Sequence, residues 1–297
     1  MHRYLLHNDD IRDTTDTLLS PGQVGFLNGW GVFSTLRVAE GVLFAFERHY
    51  ARMRYDAVRL RVPFEISSAS LEKSLLALVD ANGALDATLR VAIVRNKGGI
   101  FEAPGLAREC DVVAFTTDLR VWGDSARLSY VPGTRFSACP FAGAKTTSWA
   151  QNLALYEEAH QRGFDEAVLL NEHGQVSECT SANLFAIKED HVYTPPLVSS
   201  GCLPGVTRAV LLEEIQVSGF SIEERAMSPA DLESSSQVFM TSSTRDLLPV
   251  LSIDERPLPQ DREALGRLQR AFTGYREAYV ASHRRMREVH VKETQAV

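Results

Sequence analysis

Two hairpin signals stand back to back in the middle of this chain and limit what it can become. In EAVLLNEHGQVSE (166–178) an apolar run meets the turn residues Asn171 to Gly174 and returns, and NLFAIKEDHVYTP (183–195) repeats that grammar around Glu189-Asp190. Strands paired in this way commit the region to a sheet. Helical periods lie on either side. GVLFAFE (41–47) reads as a strand, and residues 47–62 carry helical spacing at Tyr50, Met53, Ala57, Val58 and Leu60 until Pro63 stops them. Ser70 to Asp80 is a second helix, ended by Asn82-Gly83, and 88–95 and 111–118 are strands joined by a glycine-bearing loop.

LRVWGDSA (119–126) has no periodicity and contains a glycine, so it is the expected linker between an α+β domain over 1–118 and a second domain over 127–297. The second half predicts a helix over 148–162 with Leu153, Tyr156, Ala159 and His160 on one stripe. A helix from Pro204-Gly205 to Gly219, a strand over 237–243 and a long Arg-rich helix over 261–290 follow. At 297 residues, 44% apolar and 23% charged, the composition is that of a globular protein with room for two cores.

A net charge of −7 argues against nucleic acid or an anionic membrane as partner, and for small molecules. Four cysteines with no Cys-x-x-Cys pair indicate neither a metal site nor a disulfide framework, which fits a reducing cytoplasm. The N-terminal residues lack the apolar run of a secretion signal, and no stretch approaches the roughly 20 apolar residues a membrane span needs, so a cytosolic protein is expected. No Gly-x-Gly-x-x-Gly follows an early strand, which leaves a Rossmann oxidoreductase unsupported.

Four segments carry chemistry. Lys145, in FAGAKTTSWAQN, follows tiny residues that offer its ammonium no carboxylate; a poorly solvated amine is freed to attack a carbonyl, as in Schiff-base chemistry, although a lysine can equally snorkel to water. Glu178, in VSECTSANLF, sits among small residues where a flat ligand can approach, and a cation such as a pyridinium nitrogen would satisfy a buried carboxylate; capping a turn is the alternative use. In LPGVTRAV the amides of Val206 and Thr207 open a helix, where phosphates bind, though many such helices bind nothing. In FMTSSTRD a strand runs into successive hydroxyls, which are either phosphate donors or a polar loop.

Together with NGWGVFSTLRVAEGVLFAFERHYARM, these segments resemble, in order and spacing, the class IV (fold type IV) pyridoxal-phosphate aminotransferases, which include branched-chain and D-amino acid aminotransferases and aminodeoxychorismate lyases. The resemblance runs from about Asn28 to Val250. It implies a two-domain α/β (α+β) fold, with a smaller N-terminal α+β domain and a larger, β-barrel-like C-terminal domain carrying the Schiff-base lysine. It further implies pyridoxal 5′-phosphate as cofactor, an active site between the domains, and a homodimer whose second subunit completes that site. Phe26 to Gly31 and the loop near Gly98-Gly99 are the expected partner-facing segments. By position Lys145 would hold the cofactor and move the Cα proton, Glu178 would pair with the ring nitrogen, and Arg52 in HYAR would bind the phosphate with Val206, Thr207, Ser243 and Thr244.

The chain also departs from the family pattern. Thr146-Thr147-Ser148-Trp149 stands where members often have a tyrosine near the cofactor 3′-oxygen, Thr88-Leu89-Arg90 where branched-chain enzymes have Tyr-x-Arg, and Ser34 where GVFE has its glutamate. These differences bear on substrate choice. Arg90, Arg135 and Arg245 are the candidate cations for a substrate carboxylate, with structural ion pairs as their other use. Trp30 and Phe33 are candidate walls of the side-chain pocket. The expected activity is ping-pong transfer of an amino group between an amino acid (a branched-chain L-amino acid, a D-amino acid or a related amine) and a 2-oxo acid. The alternative is a 4-amino-4-deoxychorismate lyase type of reaction that releases pyruvate, and the third reading is a binding module without turnover.

Overall fold

The computed structural model of the protein describes residues 1–99, 102 and 106–295, apart from the side chains of 285–295. The chain divides into two compact units: Met1–Arg120 with Lys145–Ser148 and the chain from Tyr275 on, and Val121–Ala144 with Trp149–Gly274.

The first unit contains β1 (Tyr4–His7), β2 (Asp10–Asp13), α1 (Val24–Asn28), β3 (Gly31–Ala39), β4 (Val42–Leu43), α2 (Phe46–Arg59), α3 (Ser68–Ala81), β5 (Ala87–Arg95) and β6 (Cys110–Asp118). Its six strands lie in the order β2-β1-β6-β5-β3-β4, every pair antiparallel. Leu36, Val38, Leu89, Val91 and Ile93 from the sheet and Met53, Ala57, Leu71, Leu75 and Leu78 from α2 and α3 share one core, the term that dominates folding free energy. The Ser67 hydroxyl accepts from Ser70 N–H and caps α3, a contact worth about 1 kcal/mol. The strand expected over 41–47 is cut to Val42–Leu43, because Ala45 turns the backbone left-handed (φ 53°) and α2 begins at Phe46.

β4 covers only Val38 and Ala39 of β3. Along the earlier half of β3 the same edge takes the Lys145–Ser148 segment: Val32 bridges Thr146, Phe33 N–H donates to the Lys145 carbonyl at 3.1 Å, and Thr147 N–H donates to the Gly31 carbonyl at 2.9 Å. An unpaired strand edge is a liability, and this segment pairs it. Lys145–Ser148 groups with the first unit through these bonds, and so does the last helix from Tyr275, where Tyr279 donates to Glu47 at 2.6 Å and stacks edge-on against Phe44.

The second unit contains β7 (Ala126–Arg135), α4 (Ala150–Gln161), β8 (Glu166–Asn171), β9 (Val176–Cys179), β10 (Asn183–Lys188), β11 (His191–Thr194), α5 (Leu197–Ser200), α6 (Val206–Glu213), β12 (Ser221–Glu224), α7 (Pro229–Glu233), β13 (Gln237–Ser242), β14 (Asp246–Ile253), β15 (Arg256–Pro257) and the start of α8 (Arg262–Gln295). Its nine strands form a curled half-barrel in the order β12-β11-β10-β13-β14-β7-β8-β9, with β15 beside β14. Both expected hairpins are present, β8 with β9 and β10 with β11. The sheet is mixed, since β7 runs parallel to both β14 and β8. The β7-to-β8 crossover is α4, whose one buried residue is Ala159, while Leu153 is 52% exposed. The helix expected over 204–219 ends at Glu213. Among the described residues no helix is long and apolar enough to cross a membrane.

Candidate active site

In the first unit α2 brings chemistry to Lys145. His49, Arg52 and Asp56 follow one another at three- and four-residue spacings, which stack side chains on one helix face. Asp56, buried at 1%, accepts the Lys145 backbone N–H through Oδ2 at 3.1 Å, and Arg59 stands 3.6 Å from its other oxygen. The lysine peptide is thus held on its N–H by α2 and on its carbonyl by β3. The half-buried side chain brings Nζ to 4.6 Å from the centre of the Phe33 ring. Arg90 lies over the same ring at 3.9 Å, so one aromatic ring is the platform for two cations.

Burial lowers the Arg52 guanidinium to about 10, against the pull of Asp56. Burial also holds His49 well below its ordinary value, helped by the charges of Arg52 and Lys145. The Asp56 carboxyl is raised by burial, opposed by the Lys145 N–H and by the charges of Arg52, Arg59 and Lys145. Such desolvated cations favour an anionic ligand. Gly29 and Gly31 let this segment approach: a Cβ on Gly29, which has φ +61°, would lie 2.5 Å from the Ser148 hydroxyl, and one on Gly31 would lie 3.0 Å from that of Thr147.

In the second unit Glu178, 7% exposed at the end of β9, accepts from Arg135 Nε at 3.1 Å and from the Leu203 backbone N–H at 3.1 Å. Asn152 ties Arg135 to the following turn, accepting from the guanidinium at 3.3 Å and donating to the Thr180 carbonyl at 2.6 Å. Gly205 precedes α6 as its N-cap, and a Cβ there would collide with Asn183 Oδ1 at 2.0 Å. Val206 and Thr207 occupy the first turn, whose amides have no partner within the helix. Thr207 Oγ1 and, on β13, Thr241 Oγ1 are buried without a partner among the described residues. Ser243 and Thr244 lie in the turn between β13 and β14. Orphaned buried hydroxyls beside a helix N-terminus and a hydroxyl-rich turn are the donor set that a phosphate requires, so these residues fit the phosphorylated cofactor.

All three candidate substrate cations have partners, Arg90 lying over the Phe33 ring. Arg135 is paired with Glu178. Arg245, 7% exposed, donates to Glu166 at 3.3 Å and to Ser181 Oγ at 2.9 Å, and stacks on Trp122 at 3.5 Å. A substrate carboxylate would have to displace a buried carboxylate from each of these two. Trp30 is also tied down, its Nε1 donating to the Leu60 carbonyl at 2.7 Å and its ring lying under Arg95 at 4.1 Å. The sequence reading missed Asp56, His49, Asn152 and Thr241. The first two were signalled by their spacing from Arg52, whereas nothing local marked Asn152, whose role depends on α4 crossing between parallel strands.

The similarities to known proteins agree with this chemistry. The D-alanine aminotransferase of Bacillus licheniformis is 27% identical over 254 residues, which cover 84% of this chain and 88% of that protein. A putative branched-chain-amino-acid aminotransferase of Methanocaldococcus jannaschii is 27% identical over 255 residues, with 84% and 87% covered. Among solved structures, the Escherichia coli branched-chain amino acid aminotransferase superposes with a TM-score of 0.84 at 23% identity, covering 93% of this chain and 95% of its own. A putative 4-amino-4-deoxychorismate lyase of Legionella pneumophila superposes with a TM-score of 0.78 at 26% identity, covering 86% and 94%. The family model described as amino-transferase class IV matches residues 31–253, from the start of β3 to the end of β14 and through every residue described above from Phe33 to Arg245, and the chain belongs to that family.

Proposed function

We propose that this enzyme moves an amino group between an amino acid and a 2-oxo acid in two half-reactions, with pyridoxal 5′-phosphate as its cofactor. The reading rests on the class IV match over residues 31–253. When bound, the cofactor supplies an aldehyde that condenses with amines and a ring that accepts the electron pair left when a Cα proton departs. Lys145 is the amine that holds the cofactor and then carries that proton from the substrate Cα. Its peptide, pinned by Asp56 and Phe33, fixes where Nζ can reach.

Glu178 keeps the ring nitrogen protonated. Two of its lone pairs are used by Arg135 and Leu203 N–H, and a carboxylate has about four, so acceptor capacity remains. Arg52, the Val206 and Thr207 amides, the Thr207 hydroxyl and the Ser243–Thr244 turn hold the phosphate. Arg90, stacked on Phe33, is the cation offered to the substrate carboxylate.

We further propose a cytosolic homodimer. Exposed Phe26 and Leu27 on α1, at 49% and 65%, and Phe136 and Phe141, at 63% and 49%, supply apolar surface for a partner copy.

The test is a donor screen on the holoenzyme with L-leucine, D-alanine and the two 1-phenylethylamine enantiomers separately, following the visible band of the lysine-bound cofactor. A productive donor alone removes the band and releases one equivalent of the oxo product, and a 2-oxo acid restores it. Return of the band with continued pyruvate release, without added acceptor, would establish the lyase instead.

A further inference from the structure

The His49 side chain is fully buried, yet no step above uses it. A buried imidazole is a costly filler. Its Nε2 is sealed from solvent and lacks a partner among the described residues, a penalty that an apolar side chain of similar size would avoid. Its Nδ1 lies 2.7 Å from the hydroxyl of Ser34, which stands on β3 and is also fully buried. The same hydroxyl oxygen accepts from Arg52 Nη2 at 2.8 Å.

The donor inventory fixes the direction of the arginine bond, and the imidazole tautomer fixes that of the other. Arginine only donates, so Ser34 Oγ is the acceptor for Arg52. Ser34 Oγ keeps its one proton and a second lone pair for His49 Nδ1, and with the imidazole proton on Nε2 the hydroxyl donates to Nδ1. Burial and the neighbouring charges of Arg52 and Lys145 keep the imidazole neutral, so this arrangement holds across the neutral pH range. The result is a one-way relay in which His49 orients the serine hydroxyl and the hydroxyl fixes one edge of the guanidinium. It also accounts for Ser34 in place of an acidic residue. A second carboxylate beside Arg52, in addition to Asp56, would compete further with a phosphate for the same cation, whereas a neutral oxygen orients the guanidinium without neutralising it.

We propose that Ser34 and His49 are positioning residues that aim the Arg52 guanidinium at the phosphate of the cofactor. This rests on the phosphate role proposed for Arg52, and the experiment separates the two. The full-length enzyme is freed of cofactor and titrated, by protein fluorescence and visible absorbance, with pyridoxal 5′-phosphate and with pyridoxal, which lacks the phosphate. Melting temperature is recorded for each variant.

Arg52→Met is expected to weaken binding of the phosphorylated form and leave pyridoxal binding unchanged. Ser34→Ala is expected to do the same by about tenfold, the factor that about 1.4 kcal/mol makes. His49→Leu should match Ser34→Ala, and His49→Asn, whose amide oxygen takes the place of Nδ1, should restore most of the affinity. If Arg52→Met discriminates between the two ligands while Ser34→Ala and His49→Leu weaken both equally or neither, the relay is overturned and the phosphate role of Arg52 stands. If Arg52→Met does not discriminate, both fall. Failure of His49→Asn to rescue, with Ser34→Ala behaving as expected, removes His49 and with it the two-residue proposal.

Discussion

The carboxylate of Asp56 accepts the backbone N–H of Lys145 at 3.1 Å across a gap of 89 positions in the chain. Burial raises the carboxyl above its ordinary value, and the Lys145 N–H, Arg52, Arg59 and Lys145 side chains only partly offset this. The folded state therefore favours the protonated acid. The stability Asp56 contributes is greatest below the ordinary aspartate range and falls as pH rises through the raised value. Asp56→Asn keeps an acceptor for the N–H without the ionisation. Urea unfolding at about pH 4 and at neutrality should show the asparagine variant gaining on the wild type as pH rises from the aspartate range. A gain by the wild type instead would mean that its ion pairs outweigh its burial.

Glu178→Gln preserves shape and removes charge. Arg135 then loses the anion it faces at 3.1 Å in a half-buried setting, and on the proposed pairing the ring nitrogen would lose its counter-charge. Turnover should fall by roughly 10²-fold or more, within the range that acid–base groups contribute. Unfolding free energy should drop by about 1–3 kcal/mol. Unchanged single-turnover rates of amino donor consumption would show that this carboxylate does not serve the ring nitrogen.

Arg245 offers a contrast between structure and substrate. Its partner Glu166 is fully buried, so Arg245→Met strands a carboxylate and should cost about 3–5 kcal/mol in stability. Arg245→Lys should lose part of that, with the KM for the 2-oxo acid unchanged. A selective rise in KM without loss of stability would return Arg245 to the substrate site.

At Gly205 a single methyl is informative. The added Cβ would overlap Asn183 Oδ1, and the amide of Asn183 is held by the Leu203 carbonyl at 2.9 Å, so the start of α6 must shift. Gly205→Ala should weaken pyridoxal 5′-phosphate binding measurably, on the order of tenfold if one phosphate hydrogen bond is lost. It should leave pyridoxal binding in place. Equal affinity for the phosphorylated cofactor in variant and wild type would show that the first turn of α6 does not hold it.

How much of this was legible in the sequence depended on distance along the chain. The hairpins β8–β9 and β10–β11 and the helices α2 and α3 carry local signals, namely turn residues and apolar period, and they lie within a few residues of their expected bounds. β14 hides behind Pro249, a residue that demotes a strand, and the end of β7 contains Pro132-Gly133. The parallel pairing of β7 with both β8 and β14 has no local signature, since each partner is reached by a long crossover. Lys145 was visible because its neighbours are so small. Asp56 was not singled out as its clamp, because a carboxylate on a helix announces no tertiary acceptor until the fold brings an N–H to it.

The pairing of Lys145–Ser148 with β3 has a consequence for biosynthesis. As the chain leaves the ribosome, the first half of β3 emerges with one side open to any other extended peptide, and β4 shields only the later part. The residues that close it are Lys145 and its three successors. A nascent chain stalled before them exposes a sticky seam, so the segment that carries Lys145, the proposed nucleophile, also covers the open edge of the half-made protein.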